Sequence, residues 1–195
     1  MLLTLLCGAA LAGDLVVDAA VPVEVRAQGA ALVSVLSHAR VRVLDLPPGS
    51  QSIELSRDGK VQTVTVSIPD QGAALITVGE RGAVVDKIPA PPVVVPSLEL
   101  RAAGDQRFAT VIDGERILTW SGTHPVVLEG LAPGARELQL RSADLLTIWA
   151  RGTLTVEPID RLIGTLTAGR ALQVVGRSGA FAPYTGPSGP PTPEN

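Results

Sequence analysis

Val41-Arg42-Val43-Leu44-Asp45-Leu46-Pro47-Pro48-Gly49-Ser50-Gln51-Ser52-Ile53-Glu54-Leu55 has a counterpart later in the chain, Val126-Val127-Leu128-Glu129-Gly130-Leu131-Ala132-Pro133-Gly134-Ala135-Arg136-Glu137-Leu138-Gln139-Leu140. In each copy an apolar run reaches Leu-x-Pro-Gly and then alternates apolar with polar residues, at Ile53 and Leu55 in one and at Leu138 and Leu140 in the other. Proline pre-sets φ at one corner of a turn and glycine supplies a corner that other residues reach only with strain. The pattern predicts strand, tight turn at Gly49 or Gly134, and a second strand directed back along the first. It also makes the chain a duplication.

Composition agrees with an all-β fold. Of 195 residues, 46% are apolar but only 3% aromatic, so any core is built from Val, Leu, Ile and Ala. Branched side chains suit a pleated, half-buried surface. The expected fold is two tandem small antiparallel β-sandwich domains. Net charge is -3, with 16 basic and 19 acidic residues interspersed. No run of basic residues marks a nucleic acid or an anionic membrane surface as partner.

Residues 1-12 are uncharged and apolar and end in Ala10-Leu11-Ala12, the small-x-small pattern of a signal-peptidase site. They read as a cleaved signal peptide, too short for the roughly 20 apolar residues that span a bilayer. Cleavage would remove Cys7, the sole cysteine, so no disulfide supports the mature chain.

Residues 13-86 form the first predicted domain. Val21, Val23 and Val25 alternate with polar residues, Ala31 to Leu36 is a continuous apolar run, and Asp58-Gly59 between alternating runs signals a two-residue hairpin. In the strand that follows, Val64, Val66 and Ile68 share one face and Thr63, Thr65 and Ser67 the other. About seven short strands are expected. Residues 87-96 hold four prolines and read as a semi-rigid extended linker. Residues 97-176 form the second domain. Matching Val23 and Val25 to Leu98 and Leu100, and Leu46 to Leu131, places ten extra residues between Gly104 and Val126, and matching Thr63 to Thr153 places five more before Thr153. Residues 177-195 are rich in Pro, Gly and Ser and are expected to be disordered.

Copies that share a scaffold and differ in loops carry their particular function in the loops. The first insertion contains Phe108, Trp120 and His124 and the second Trp149, which makes these four the candidate contacts for a ligand or partner, the alternative being that Trp120 and Trp149 simply fill the core of the second domain. No catalytic constellation stands out. His38 and His124 are the only histidines and neither sits in a nucleophile motif, zinc ligands at characteristic spacing are lacking, Asp113-Gly114-Glu115 reads as a turn, and the glycines mark turns rather than a phosphate loop. A non-enzymatic protein with no cofactor and no metal is expected.

With its Leu-x-Pro-Gly turn, its later Thr-x-Thr-Val strand (Thr63 to Val66, Thr153 to Val156) and its closing apolar strand, each copy resembles the PEGA-type family of small surface β domains and the short β modules of bacterial envelope proteins. Gln28-Gly29-Ala30 and Ala103-Gly104-Asp105 stand where that family carries its acidic-glycine-alanine signature. The resemblance implies immunoglobulin-like or PEGA-like sandwiches and an exported, periplasmic or cell-surface interaction or spacer module. Its partner would be an envelope protein or polysaccharide. A second expectation is a carbohydrate-binding protein with Trp120 and Trp149 as stacking platforms.

Overall fold

The computed structural model describes residues 12-36, 38-86, 92-167, 171-176 and 181-183. The predicted signal peptide therefore lies outside the described residues except for Ala12, as do residues 87-91 of the linker and most of the tail.

Among the described residues every regular element is a strand. The first repeat contains β1 (Gly13–Ala19), β2 (Val23–Ala27), β3 (Ala30–Val35), β4 (Ala39–Leu46), β5 (Gly49–Arg57), β6 (Lys60–Ile68), β7 (Ala73–Gly79) and β8 (Gly82–Asp86). The second contains β9 (Ser97–Ala102), β10 (Arg107–Ile112), β11 (Glu115–Ser121), β12 (Val126–Glu129), β13 (Gly134–Ser142), β14 (Ile148–Val156), β15 (Arg161–Leu166) and β16 (Leu172–Val175), followed by β17 (Phe181–Pro183). Period-2 alternation sets the faces. In β6, Val66 and Ile68 are buried while Thr63, Thr65 and Ser67 are exposed.

The strands form two sheets, β16-β15-β9-β12-β4-β1-β7-β8 and β17-β14-β13-β10-β11-β3-β2-β5-β6. The inward side chains of both make one core, running from Leu15, Val25 and Ile53 to Trp120, Leu140 and Leu162. The molecule is thus a β-sandwich whose two sheets each pass through both repeats. Within a repeat the pairings recur in order. β1 pairs antiparallel with β4 and parallel with β7, as β9 does with β12 and β15. β2 pairs with β3 and β5, as β10 does with β11 and β13.

Between repeats, equivalent strands pair antiparallel. Val43 faces Val126, Arg42 faces Val127 and Val41 faces Leu128 in β4-β12, and Ser34 faces Thr119 in β3-β11. Because 42 and 127, like 34 and 119, differ by the same 85, a pseudo-two-fold axis passes through both junctions. The repeats meet as two copies in an isologous dimer would.

The two tandem sandwiches expected from the sequence are one sandwich with a shared core, and three further sequence expectations are corrected. The Leu46 to Gly49 and Leu131 to Gly134 turns do not fold a strand back on its neighbour; β4 and β5 lie in different sheets, as do β12 and β13, so each turn is a corner between layers. Gly49 and Gly134 still have φ of 105° and 114°, the conformation glycine alone reaches without strain. The ten-residue insertion dissolves. Strand β1 carries no alternation in sequence, because its Leu15, Val16 and Val17 are all buried. With β1 matched to β9, the type I′-like turn Gln28-Gly29 (φ 50° and 79°) corresponds to Asp113-Gly114 (φ 51° and 82°), and Phe108 and Trp120 occupy the strand positions of Val23 and Val35. Last, the tail contributes β17, which pairs with β14 over Gly152 to Leu154 while Phe181 packs half-buried against the core. The Asp58-Gly59 hairpin forms as expected, with φ of 49° and 75° and Arg57 facing Lys60.

Candidate functional site

The four residues singled out in the sequence do not form a solvent-facing platform. Phe108 and Trp120 are a cross-strand pair on the inward face of β10 and β11, 2% and 0% exposed, with ring centroids 5.0 Å apart. Trp120 donates its indole N–H to Thr110 Oγ1 at 3.1 Å inside the core. Trp149 is half-buried, with its ring nearly edge-on to Phe108 at 5.7 Å. Trp120 therefore offers no stacking platform, because a sugar ring needs an open aromatic face and its face is filled by core. His124 lies half-buried in the loop before β12, at the position equivalent to Ala39. Gly49, Gly134, Asp58 and Gly59 all have positive φ.

The structure instead brings together charged residues on the outer face of the eight-stranded sheet. Val41 and Val43 point into the core, so Arg40 and Arg42 point away from it; Leu128 points in, so Glu129 points out. Glu129 has no exposed side-chain surface. Its Oε2 accepts from Arg40 Nε at 2.8 Å and its Oε1 from Arg42 Nε at 2.8 Å. The backbone N–H of Val94 donates to Oε2 at 3.2 Å, so the described end of the interdomain segment lies against the carboxylate. Gly130 and Leu131 donate to the carbonyls of Val94 and Pro96, fixing that segment in place. Asp18 sits 3.8 Å from Arg40 and Asp14 3.6 Å from Arg42. Burial pushes the Asp14 carboxyl above its ordinary range, opposed by the nearby Arg42 guanidinium. The cluster joins arginines of the first repeat to a carboxylate of the second. It is a clamp across the junction. Sequence could have flagged it as charge at the non-core positions of Arg40-Val41-Arg42-Val43 and Val127-Leu128-Glu129, but alternation does not say whether an outer face is wet or covered.

Two clefts stand out among the described residues. One, of about 180 Å³, lies in the second repeat between Ile112, Ile117, Leu131 and Leu154, with Asp113 and Arg136 at its rim. Arg136 Nη1 donates to Asp113 Oδ2 at 3.0 Å, and the Glu137 N–H donates to Asp113 Oδ1 at 2.8 Å. That backbone hydrogen bond, with help from Arg136, holds the Asp113 carboxyl below its usual range. The other, of about 350 Å³, lies in the first repeat between the β5-β6 and β7-β8 hairpins, lined by Val23, Leu55, Arg57, Val61, Val78 and Arg81. Arg57 Nη1 donates to the carbonyls of Gly79 and Glu80 and ties the two hairpins together.

Among the described residues there is no group of three His, Cys, Asp or Glu side chains placed to hold a metal ion, and no helix long and apolar enough to cross a membrane. No family model and no curated protein matches the chain.

Proposed function

We propose that the chain is an exported, non-enzymatic module of the cell envelope that binds or spaces other envelope components as one stiff body. The observation that carries this is the fusion of the two repeats through both sheets, reinforced by the Arg40-Arg42-Glu129 clamp. A spacer has to hold its ends at a fixed separation, and a continuous ladder on both faces of one core resists hinge motion far better than a flexible linker. The signal-like start and the resemblance to envelope β modules supply the compartment. The test is made in the native host. Export predicts a mature chain beginning at Gly13, because Ala10 and Ala12 supply the two small residues the signal peptidase accepts, together with recovery of the protein in the envelope fraction and cross-linking to envelope protein or polysaccharide. An intact Met1 on cytoplasmic protein would overturn it.

A further inference from the structure

The pseudo-two-fold axis makes the two outer edges of the nine-stranded sheet comparable. In the second repeat the edge of β14 carries β17, with Gly152 opposite Pro183, Thr153 opposite Ala182 and Leu154 opposite Phe181. Glu137 faces Thr153 and Ser52 faces Thr65, and Ser52 is the first-repeat equivalent of Glu137, so Val64, Thr65 and Val66 of β6 occupy the places of Gly152, Thr153 and Leu154. Yet β6 ends its sheet with no strand on its outer side among the described residues. From Val61 to Ile68 it has no charge, no proline and no bulge, the devices that normally blunt an open edge. Beside it the first repeat keeps an incompletely covered apolar seam, with Val64, Ala83 and Val85 only partly buried against the core. In the second repeat the corresponding seam holds Val174 and Phe181. Gln62 spans the first-repeat seam at one end, donating to the Ala83 carbonyl at 3.2 Å and accepting from its N–H at 3.0 Å, which keeps the two edges at a set spacing.

We propose that the edge of β6, centred on Thr65, binds an extended segment of a partner polypeptide by antiparallel β-augmentation, in the manner in which β14 binds β17. The segment would place a large apolar or aromatic residue opposite Val66, where Phe181 stands opposite Leu154, and a residue that needs no N–H bond opposite Val64, where Pro183 stands opposite Gly152. Main-chain hydrogen bonds supply the affinity and the seam supplies the side-chain preference. This names a partner class for the binding role proposed above and rests on that role, but the edge can be tested without reference to export.

The probe is a synthetic peptide with the sequence of Ser178 to Thr185, added in excess to the full chain and followed by amide hydrogen exchange. Exchange over Val61 to Ile68 should slow by about tenfold or more, since pairing protects outward amides, while Ile148 to Val156, already covered by its own β17, should not change. Thr65→Pro, which removes an N–H from the centre of the edge, should abolish the protection. If that variant does not fold, the wild-type exchange pattern decides alone. Unchanged exchange in β6, protection that falls on β14 instead, or protection of β6 that grows with protein concentration in the absence of peptide would each overturn the proposal, the last by showing a second copy on the edge. Failure here leaves the export prediction standing, and an uncleaved Met1 leaves this one standing.

Discussion

Arg42 faces Val127 across the junction of the two halves, and the two hold equivalent strand positions. An isolated first repeat that tried to pair with itself in the same way would set Arg42 against Arg42, a like-charge cross-strand pair, and would lose Glu129. An isolated second repeat would set Val127 against Val127 and Thr119 against Thr119, pairs that suit a sheet, but would bury Glu129 at the junction without Arg40 and Arg42. Chains cut near Pro91 should therefore both fold poorly alone, and mixing should give a one-to-one complex with the full β-type circular dichroism. Native mass spectrometry of the separate and mixed halves is the check; two stable monomers would show that each repeat completes its own core.

Glu129 is the acceptor on which both arginines depend. Glu129→Gln keeps the shape but removes the charge, leaving Arg42, 5% exposed, without its closest counter-ion. Breaking a buried pair from one side costs about 3 to 5 kcal/mol, so the urea midpoint should fall sharply. The loss should appear as a single transition in which both repeats unfold together, monitored by the Trp120 fluorescence of the second and by hydrogen exchange in the first. A midpoint within error of wild type would show that the clamp contributes nothing net.

Local chemistry was legible in the sequence and the pairing between repeats was not. Asp58-Gly59, the alternation from Thr63 to Ile68 and the positive φ of Gly49 and Gly134 are short-range consequences of residue type, and all are present. Strand β1 escaped because burial on both faces erases its period, and its loss shifted the repeat alignment enough to turn the β10-β11 hairpin into an apparent insertion. That shift made core residues, Phe108 and Trp120, look like loop residues. The junction leaves no local mark, since Val41-Arg42-Val43 reads the same whether its edge meets water or β12. The covering of Glu129 depends on Val94, 35 positions away, and no pattern within a strand encodes it.

Replacement of Gly49 or Gly134 by Val tests the corners between sheets. A Cβ at either would meet no atom within 4 Å, so the first side-chain atom is uncrowded and the backbone conformation carries the cost. Holding a branched residue at φ near 105° or 114° costs about 1 to 3 kcal/mol. Each variant should lower the denaturation midpoint by that much while leaving the circular dichroism spectrum unchanged. An unaltered midpoint for both would show that the corners relax to ordinary φ.

Acid should unfold the chain through the polar rim of the second repeat. The Glu137 carboxyl lies below its ordinary range through the hydrogen bond from Gln139, assisted by Arg151, and Asp113 lies low through the Glu137 N–H and Arg136. Both folded-state values are below the unfolded ones of about 4. Their stabilisation is therefore present above that pH and is lost as pH falls through the depressed folded values. Asp14 runs the other way. Its raised folded value means that its contribution is present below about pH 4 and is lost as pH rises through the folded value. Asp113→Asn should thus be destabilised relative to wild type at pH 7 and match it at about pH 2, whereas Asp14→Asn should gain on wild type between about pH 3 and pH 7. Chemical denaturation of the three proteins across that range is the measurement. Parallel pH profiles for Asp113→Asn and wild type would show that the Asp113 interactions persist equally in the unfolded chain.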